Sequence, residues 1–164
     1  MYRWEQLANC KASSPTSQFA RRMTPLSESL KRAIRIWQST GMELFPPADH
    51  RQIQAVMEQI GQRASTDVFE LYESMGGFAS GTDEHGWYLW SLDQIRQENV
   101  AIHQSQWAFS DGMVESFRFR LQYENELVSS VWIDHGTDAT YPVAKSVAEF
   151  FDLYLSDPGK IGLP

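Results

Sequence analysis

The stretch from Ser116 to Tyr123 constrains the chain more than any other. Phe117, Phe119, Leu121 and Tyr123 fall on one side of an extended chain, and Ser116, Arg118, Arg120 and Gln122 fall on the other. A period of two with one apolar and one polar face is the pattern of a half-buried antiparallel strand. Such a strand needs a partner strand beside it and a layer covering its apolar side. The flanking sequence offers the partners. Glu124, Asn125 and Glu126 read as a turn into a second strand over 127–133, which makes a hairpin that ends at Asp134, His135 and Gly136. Upstream, Trp107 and Phe109 alternate with polar neighbours as a strand, with Ser110, Asp111 and Gly112 read as the turn after it. Trp87, Tyr88, Leu89 and Trp90 form an apolar run too short for a buried helix and suited to another strand.

The covering layer is written in helical periodicity. Val68, Leu71, Tyr72 and Met75 recur at i, i+3, i+4 and i+7, with Ser65 or Thr66 as N-cap. Gly76 and Gly77 then mark a helix end at Met75, where a left-handed residue is expected. Before it, Thr24 and Pro25 open a helix closed by Gly41, with Leu26, Leu30, Ala33, Ile34 and Trp37 on one face. Asp49 with Gln52 forms an Asp-x-x-Gln capping box for a second helix, which carries Ile53, Val56, Met57 and Ile60 and ends at Gly61. Ser91 with Gln94 caps a short helix reaching Asn99. Ser146 with Glu149 caps a last one bearing Val147, Phe150, Phe151, Tyr154 and Leu155, which Asp157, Pro158 and Gly159 stop. The expected fold is α+β: an antiparallel sheet of about four to six strands within 87–133, with helices packed mainly on one face. Residues 1–23, basic and rich in Ser and Gln without periodicity, read as a mobile tail, and 24–164 as a single domain.

Charge separates the two ends of the chain. Residues 1–40 hold seven basic and two acidic side chains, net +5, and residues 41–164 hold seven basic and nineteen acidic, net −12. An acidic body disfavours a nucleic-acid backbone and steers basic partners; acidity also serves solubility. Arg118 and Arg120 are read as pairing with carboxylates on neighbouring strands. No apolar stretch approaches a membrane span and the first thirty residues lack a signal-peptide core, so a cytoplasmic location is expected. Cys10 stands alone and is read as an incidental thiol.

Chemistry-bearing motifs are sparse. There is no Gly-x-Ser-x-Gly elbow, His-Glu-x-x-His pair, phosphate loop or paired-cysteine spacing. Asp83, Glu84 and His85 are metal-capable donors, but neighbours on one loop seldom converge on an ion without distant ligands. The glycines around them precede a strand instead of opening a helix, which removes the amide cradle a phosphate needs. The best-placed catalytic pair is Asp134 with His135, yet adjacent residues on an extended chain point to opposite faces. They are read as turn and surface residues, and His50 and His103 as isolated. No catalytic residue, metal or cofactor is assigned.

The order of these elements resembles one family. A helix with Tyr72, two turn glycines, a polar loop, the Trp87 strand and Ser91-Leu92-Asp93-Gln94-Ile95 is similar to the centre of the SUKH superfamily. Trp107-Ala108-Phe109-Ser110-Asp111-Gly112 before a hairpin and the final helix extend the resemblance over roughly 50–157. Ala64, near where the family usually has a proline, and the N-terminal extension depart from the pattern. The resemblance implies a cytoplasmic immunity protein that blocks a cognate toxin, often a nuclease, by binding to it. The expected contacts with a basic toxin domain are the strand-end groups Asp83, Glu84, His85, Asp111, Glu124, Glu126, Asp134, His135 and Asp138. The alternative implied by eukaryotic relatives is a regulatory scaffold for a signalling or cell-wall synthesis protein, with the basic N-terminus as an extra contact.

Overall fold

The computed structural model describes residues 28–99, 105–113, 115–137 and 139–164. The expected tail, the helix start at Thr24 and Pro25, Cys10, His103 and Asp138 lie outside the described residues. Five helices and a five-stranded antiparallel sheet follow one another as α1 (Glu28–Ser39), α2 (His50–Gln59), α3 (Thr66–Ser74), β1 (Trp87–Leu89), α4 (Leu92–Glu98), β2 (Gln106–Gly112), β3 (Phe117–Tyr123), β4 (Ser129–Asp134), β5 (Thr140–Ala144) and α5 (Val147–Ser156). The strands lie in sequence order, β1-β2-β3-β4-β5, so the sheet is a simple meander. This is the α+β architecture expected.

Strand alternation fixes the two faces. Phe117, Phe119 and Leu121 of β3 are buried, as are Val131 and Ile133 of β4 and Trp87 and Leu89 of β1. Helix α5 packs on this inner face: Phe150 meets Phe119 at 5.0 Å and Trp87 at 5.7 Å between ring centroids. Helices α1 and α3 pack on α5 in turn, and α2 packs on α3 and α4. Trp37 of α1 closes the cluster with Phe78 at 5.0 Å and donates its indole N–H to the Tyr154 hydroxyl at 2.8 Å. Edge-on rings at these spacings add to the area they bury, which makes this aromatic layer the energetic centre of the fold.

Several local expectations hold in detail. Asp49 and Gln52 form both bonds of a capping box, Gln52 N–H to Asp49 at 2.9 Å and Asp49 N–H to Gln52 at 2.8 Å. Ser91 accepts from the Gln94 N–H at 3.3 Å and Ser146 from the Glu149 N–H at 3.0 Å. Glu149 reaches past the cap and accepts from the Lys145 N–H at 2.6 Å. Ser65 is the N-cap of α3 in backbone geometry but makes no side-chain cap bond. Its hydroxyl bonds Asp67 at 2.5 Å and Ser129 at 2.6 Å, tying the helix start to β4. Asp67 also accepts from the Val147 N–H at 3.0 Å, so one buried carboxylate joins α3, β4 and α5. Burial raises its pKa above the ordinary carboxylate value against the pull of those donors.

Four expectations are corrected. Ser110, Asp111 and Gly112 continue β2 and are not its turn. A bulge between Ala108 and Ser110 leaves Phe109 without a partner in β3, which shifts the alternation and hides the strand pattern. Gly112 is required there by packing, because a Cβ would stand 2.2 Å from the Phe117 ring. The sheet extends beyond 133 to β5, an edge strand that tolerates Pro142 because its outer side needs no ladder donor. The strand expected over 127–133 begins at Ser129, since Asn125 holds Leu127 and Val128 in the turn by accepting both N–H groups, at 2.9 and 3.2 Å. Finally, α3 does not end in a left-handed residue at the first glycine. Met75 is extended, and the chain from Gly76 to Phe78 threads between two backbones: Gly76 N–H donates to Phe45 O at 3.0 Å and Phe78 N–H to Leu89 O at 2.9 Å. The glycines are there for close approach. A Cβ would meet Pro46 O at 2.4 Å from Gly76 and Trp90 O at 2.7 Å from Gly77, which also has φ +99°.

Candidate functional site

The strand-end groups do not converge on one surface. Asp83, Glu84, His85, Asp111, Asp134 and His135 lie near the β2–β3 end of the meander, and Glu124 and Glu126 lie in the β3–β4 turn at the other. β3 has seven residues and separates the two sets by about 20 Å.

Two of the expected contact carboxylates are structural. Asp83 is buried, accepts the N–H groups of His85 and Trp87 at 2.9 and 2.8 Å, and receives the Tyr154 hydroxyl. It anchors the polar loop before β1 onto α5. Burial, followed by the bond to Asp83, pushes the Tyr154 hydroxyl pKa well up, so it stays a donor. Asp111 is also buried and accepts the Trp90 indole N–H at 2.5 Å. Its pKa is raised, first by burial. Neither group is available as a surface contact, a correction that follows from their buried donors. Glu84 and Glu126 are exposed, and His85 sets its ring edge against Tyr154 at 5.5 Å.

Asp134 and His135 part as adjacent strand residues should. The Asp134 carboxylate takes Nε and Nη2 of Arg120, both at 2.8 Å, while the His135 ring leans on Phe117 at 5.9 Å. His50 stacks on Phe69 at 3.9 Å and bonds Glu73 at 3.0 Å, which joins α2 to α3. Among the described residues, no histidine ring lies within hydrogen-bonding reach of a hydroxyl or thiol, and no three metal-capable side chains are grouped. The described residues also include no helix long and apolar enough to cross a membrane.

The arrangement that sequence reasoning missed is the outer face of the sheet. Register brings Asp111, Arg118, Asp134 and Thr140 into one cross-strand row, Ala108, Arg120, Trp132 and Pro142 into the next, and Gln106, Gln122 and Ser130 into a third. Helix α4 and Trp90 flank the β2 side of this face, and among the described residues no helix packs on it over β4 and β5. Its side chains are nonetheless ordered by one another. Arg118 lies over the Trp90 ring at 5.3 Å and donates to Glu98 at 3.3 Å. Gln106 donates to Gln122 at 3.0 Å, Gln122 to Glu124 at 3.1 Å, and Ser130 to Glu124 at 2.6 Å. The Trp132 indole N–H reaches Ser130 at 2.9 Å. Arg120 thus pairs with a carboxylate of the neighbouring strand as expected, whereas the partner of Arg118 is Glu98 of helix α4 and not a strand residue. What the face presents is Trp132 with arginines and carboxylates fixed around it; Trp and Arg are among the residue types enriched in protein-protein contacts. The signal available in the sequence was the wet side of the 116–123 alternation.

No protein-family model matches the chain, and no curated protein is significantly similar to it.

Proposed function

We propose that this chain is a non-catalytic protein-binding module that neutralises a basic toxin domain by covering it, as an immunity protein does. The observation that carries the reading is the outer sheet face: open over β4 and β5, ordered by its own hydrogen bonds, and set in a body of net −12. Ordered anchors lose little conformational entropy on association, and an acidic field speeds encounter with a basic surface. The SUKH resemblance supplies the biological role and nuclease toxins as the expected class of partner.

The test is affinity capture of the tagged full chain from its native cells, followed by assay of the recovered partner. A stoichiometric partner with a basic toxin domain, inhibited by added chain and released by rising salt, is the expected result. Recovery of signalling or envelope-synthesis proteins in its place would overturn the reading in favour of a scaffold. The +5 charge of residues 1–40 favours that second reading. Deleting residues 1–23 separates the two: an immunity protein keeps its activity, and a scaffold that uses the extension loses it.

A further inference from the structure

Of the five described tryptophans, Trp37, Trp87, Trp90 and Trp107 are at most 1% exposed, and Trp132 alone is not buried. It stands on the outer face of β4, opposite Arg120 on one neighbouring strand and Pro142 on the other. Among the described residues its ring stacks on no other ring and carries no cation. Its position is fixed all the same, through the N–H bond to Ser130 and the Ser130 bond to Glu124. These bonds of 2.9 and 2.6 Å hold the indole and the carboxylate within one side chain's reach of each other.

The same face shows what such a pair accommodates. At Trp90 the indole N–H meets a carboxylate, Asp111, at 2.5 Å, and a guanidinium, Arg118, lies over the ring at 5.3 Å. The Trp132 corner repeats the indole and the carboxylate, joined through Ser130, and lacks the cation. Glu124 Oε1 accepts from Ser130 and Gln122, and among the described residues nothing donates to Oε2. Arg120, the nearest cation by register, is occupied by Asp134. The remaining charge of the corner is therefore one exposed, unmatched carboxylate beside a part-exposed indole.

We propose that Trp132, Ser130, Gln122 and Glu124 form a receptor for a basic side chain of a protein partner, with arginine preferred. This rests on the protein-binding reading above and names one of its contacts. The planar guanidinium stacks on the indole while its N–H groups reach Glu124 Oε2, a two-part fit that a lysine ammonium, a compact and strongly hydrated point charge, meets less fully. In this receptor Glu124, one of the strand-end carboxylates, acts in company with an aromatic partner that the strand-end pattern did not include.

The test uses full-length protein with 15N-labelled backbone and tryptophan, titrated at low salt with an acetylated Gly-Arg-Gly amide and, as control, the same peptide with citrulline in place of arginine. The Trp132 indole resonance is assigned by its loss in Trp132→Phe, and a dispersed spectrum confirms that each variant is folded. The expected result is a saturable shift of that resonance by the arginine peptide, weakened about two- to fivefold by citrulline and by Glu124→Gln, and reduced by salt. Equal shifts in Glu124→Gln and the parent would overturn the receptor. So would a peptide that moves only the resonances of the Glu84 and Glu126 loops, although binding by an acidic body would then stand. Absence of any shift in the whole spectrum would count against both.

Discussion

The two faces of β3 carry opposite chemistry on the same seven residues. Phe117, Phe119 and Leu121 point into a layer of buried rings, with His135 against Phe117 at its rim, while Arg118, Arg120 and Gln122 point into a network closed by Glu98, Asp134 and Glu124. The inner face holds the fold together through buried area. The outer face is held in shape by polar bonds, of which the part-exposed Arg118–Glu98 pair contributes only about 0 to 1 kcal/mol. That end of the face therefore adds little to stability. Phe119→Ala should break the inner face most severely, with a loss of about 3–5 kcal/mol from the removed ring and the cavity left behind. Arg118→Ala, one residue away, should cost about 1 kcal/mol or less. Urea denaturation of both variants measures the contrast, and equal losses would dissolve it.

A second variant asks whether the inner layer depends on backbone contact as much as on side chains. Gly77 combines φ +99° with a Cβ position 2.7 Å from Trp90 O, so Gly77→Ala meets conformational strain and backbone overlap together. The chain between α3 and β1 then has to move away from β1's neighbour Trp90. A loss of roughly 2–4 kcal/mol is expected by thermal or urea unfolding. The adjacent outer-face spectrum should also change, because Trp90 carries Arg118.

The contrast between the faces also explains what the sequence revealed. Caps such as Asp49 with Gln52 and Ser91 with Gln94 were legible because both partners lie within one helical turn. The β3 alternation was legible because no bulge interrupts it. β2 was misread where Phe109 bulges out of register, and Ser110, Asp111 and Gly112 are turn formers by composition, although here each has a packing reason to be in a strand. Ser110 accepts the Trp87 indole N–H at 3.0 Å, and Asp111 accepts that of Trp90. β5 is not legible in the sequence because Tyr141 and Pro142 resemble a breaker. Burial of Asp83 was hidden for a different reason: its donor Tyr154 lies 71 residues away, beyond any local pattern. Trp132 lies between Val131 and Ile133, and three consecutive apolar residues conceal which one faces out.

The smallest effect concerns Asp111, a carboxylate that belongs to the outer row by register yet is buried like an inner residue. Burial raises its pKa; the Trp90 bond opposes this, Glu115 adds to it, and Arg118 opposes it. The native state therefore binds a proton more tightly than the unfolded chain does. Stability from this group is fully present below the unfolded carboxylate value of 3.8 and falls as the pH rises through the raised native value. At neutral pH the ionised form is a net cost. Asp111→Asn keeps an oxygen for the Trp90 indole and removes the charge, so it should be at least as stable as the parent at pH 7. That advantage should shrink as the pH falls towards 3.8. Urea midpoints of the two proteins across that range give the difference directly. Asp67, raised in the same direction, is common to both proteins and drops out of the comparison to first order. A variant less stable than the parent at pH 7, with a gap independent of pH, would mean that the Asp111 charge is matched by Arg118 in the native state. The outer row would then be bound together by ion pairs along its whole length, and its β2 end would no longer differ from the Arg120–Asp134 pair beside it.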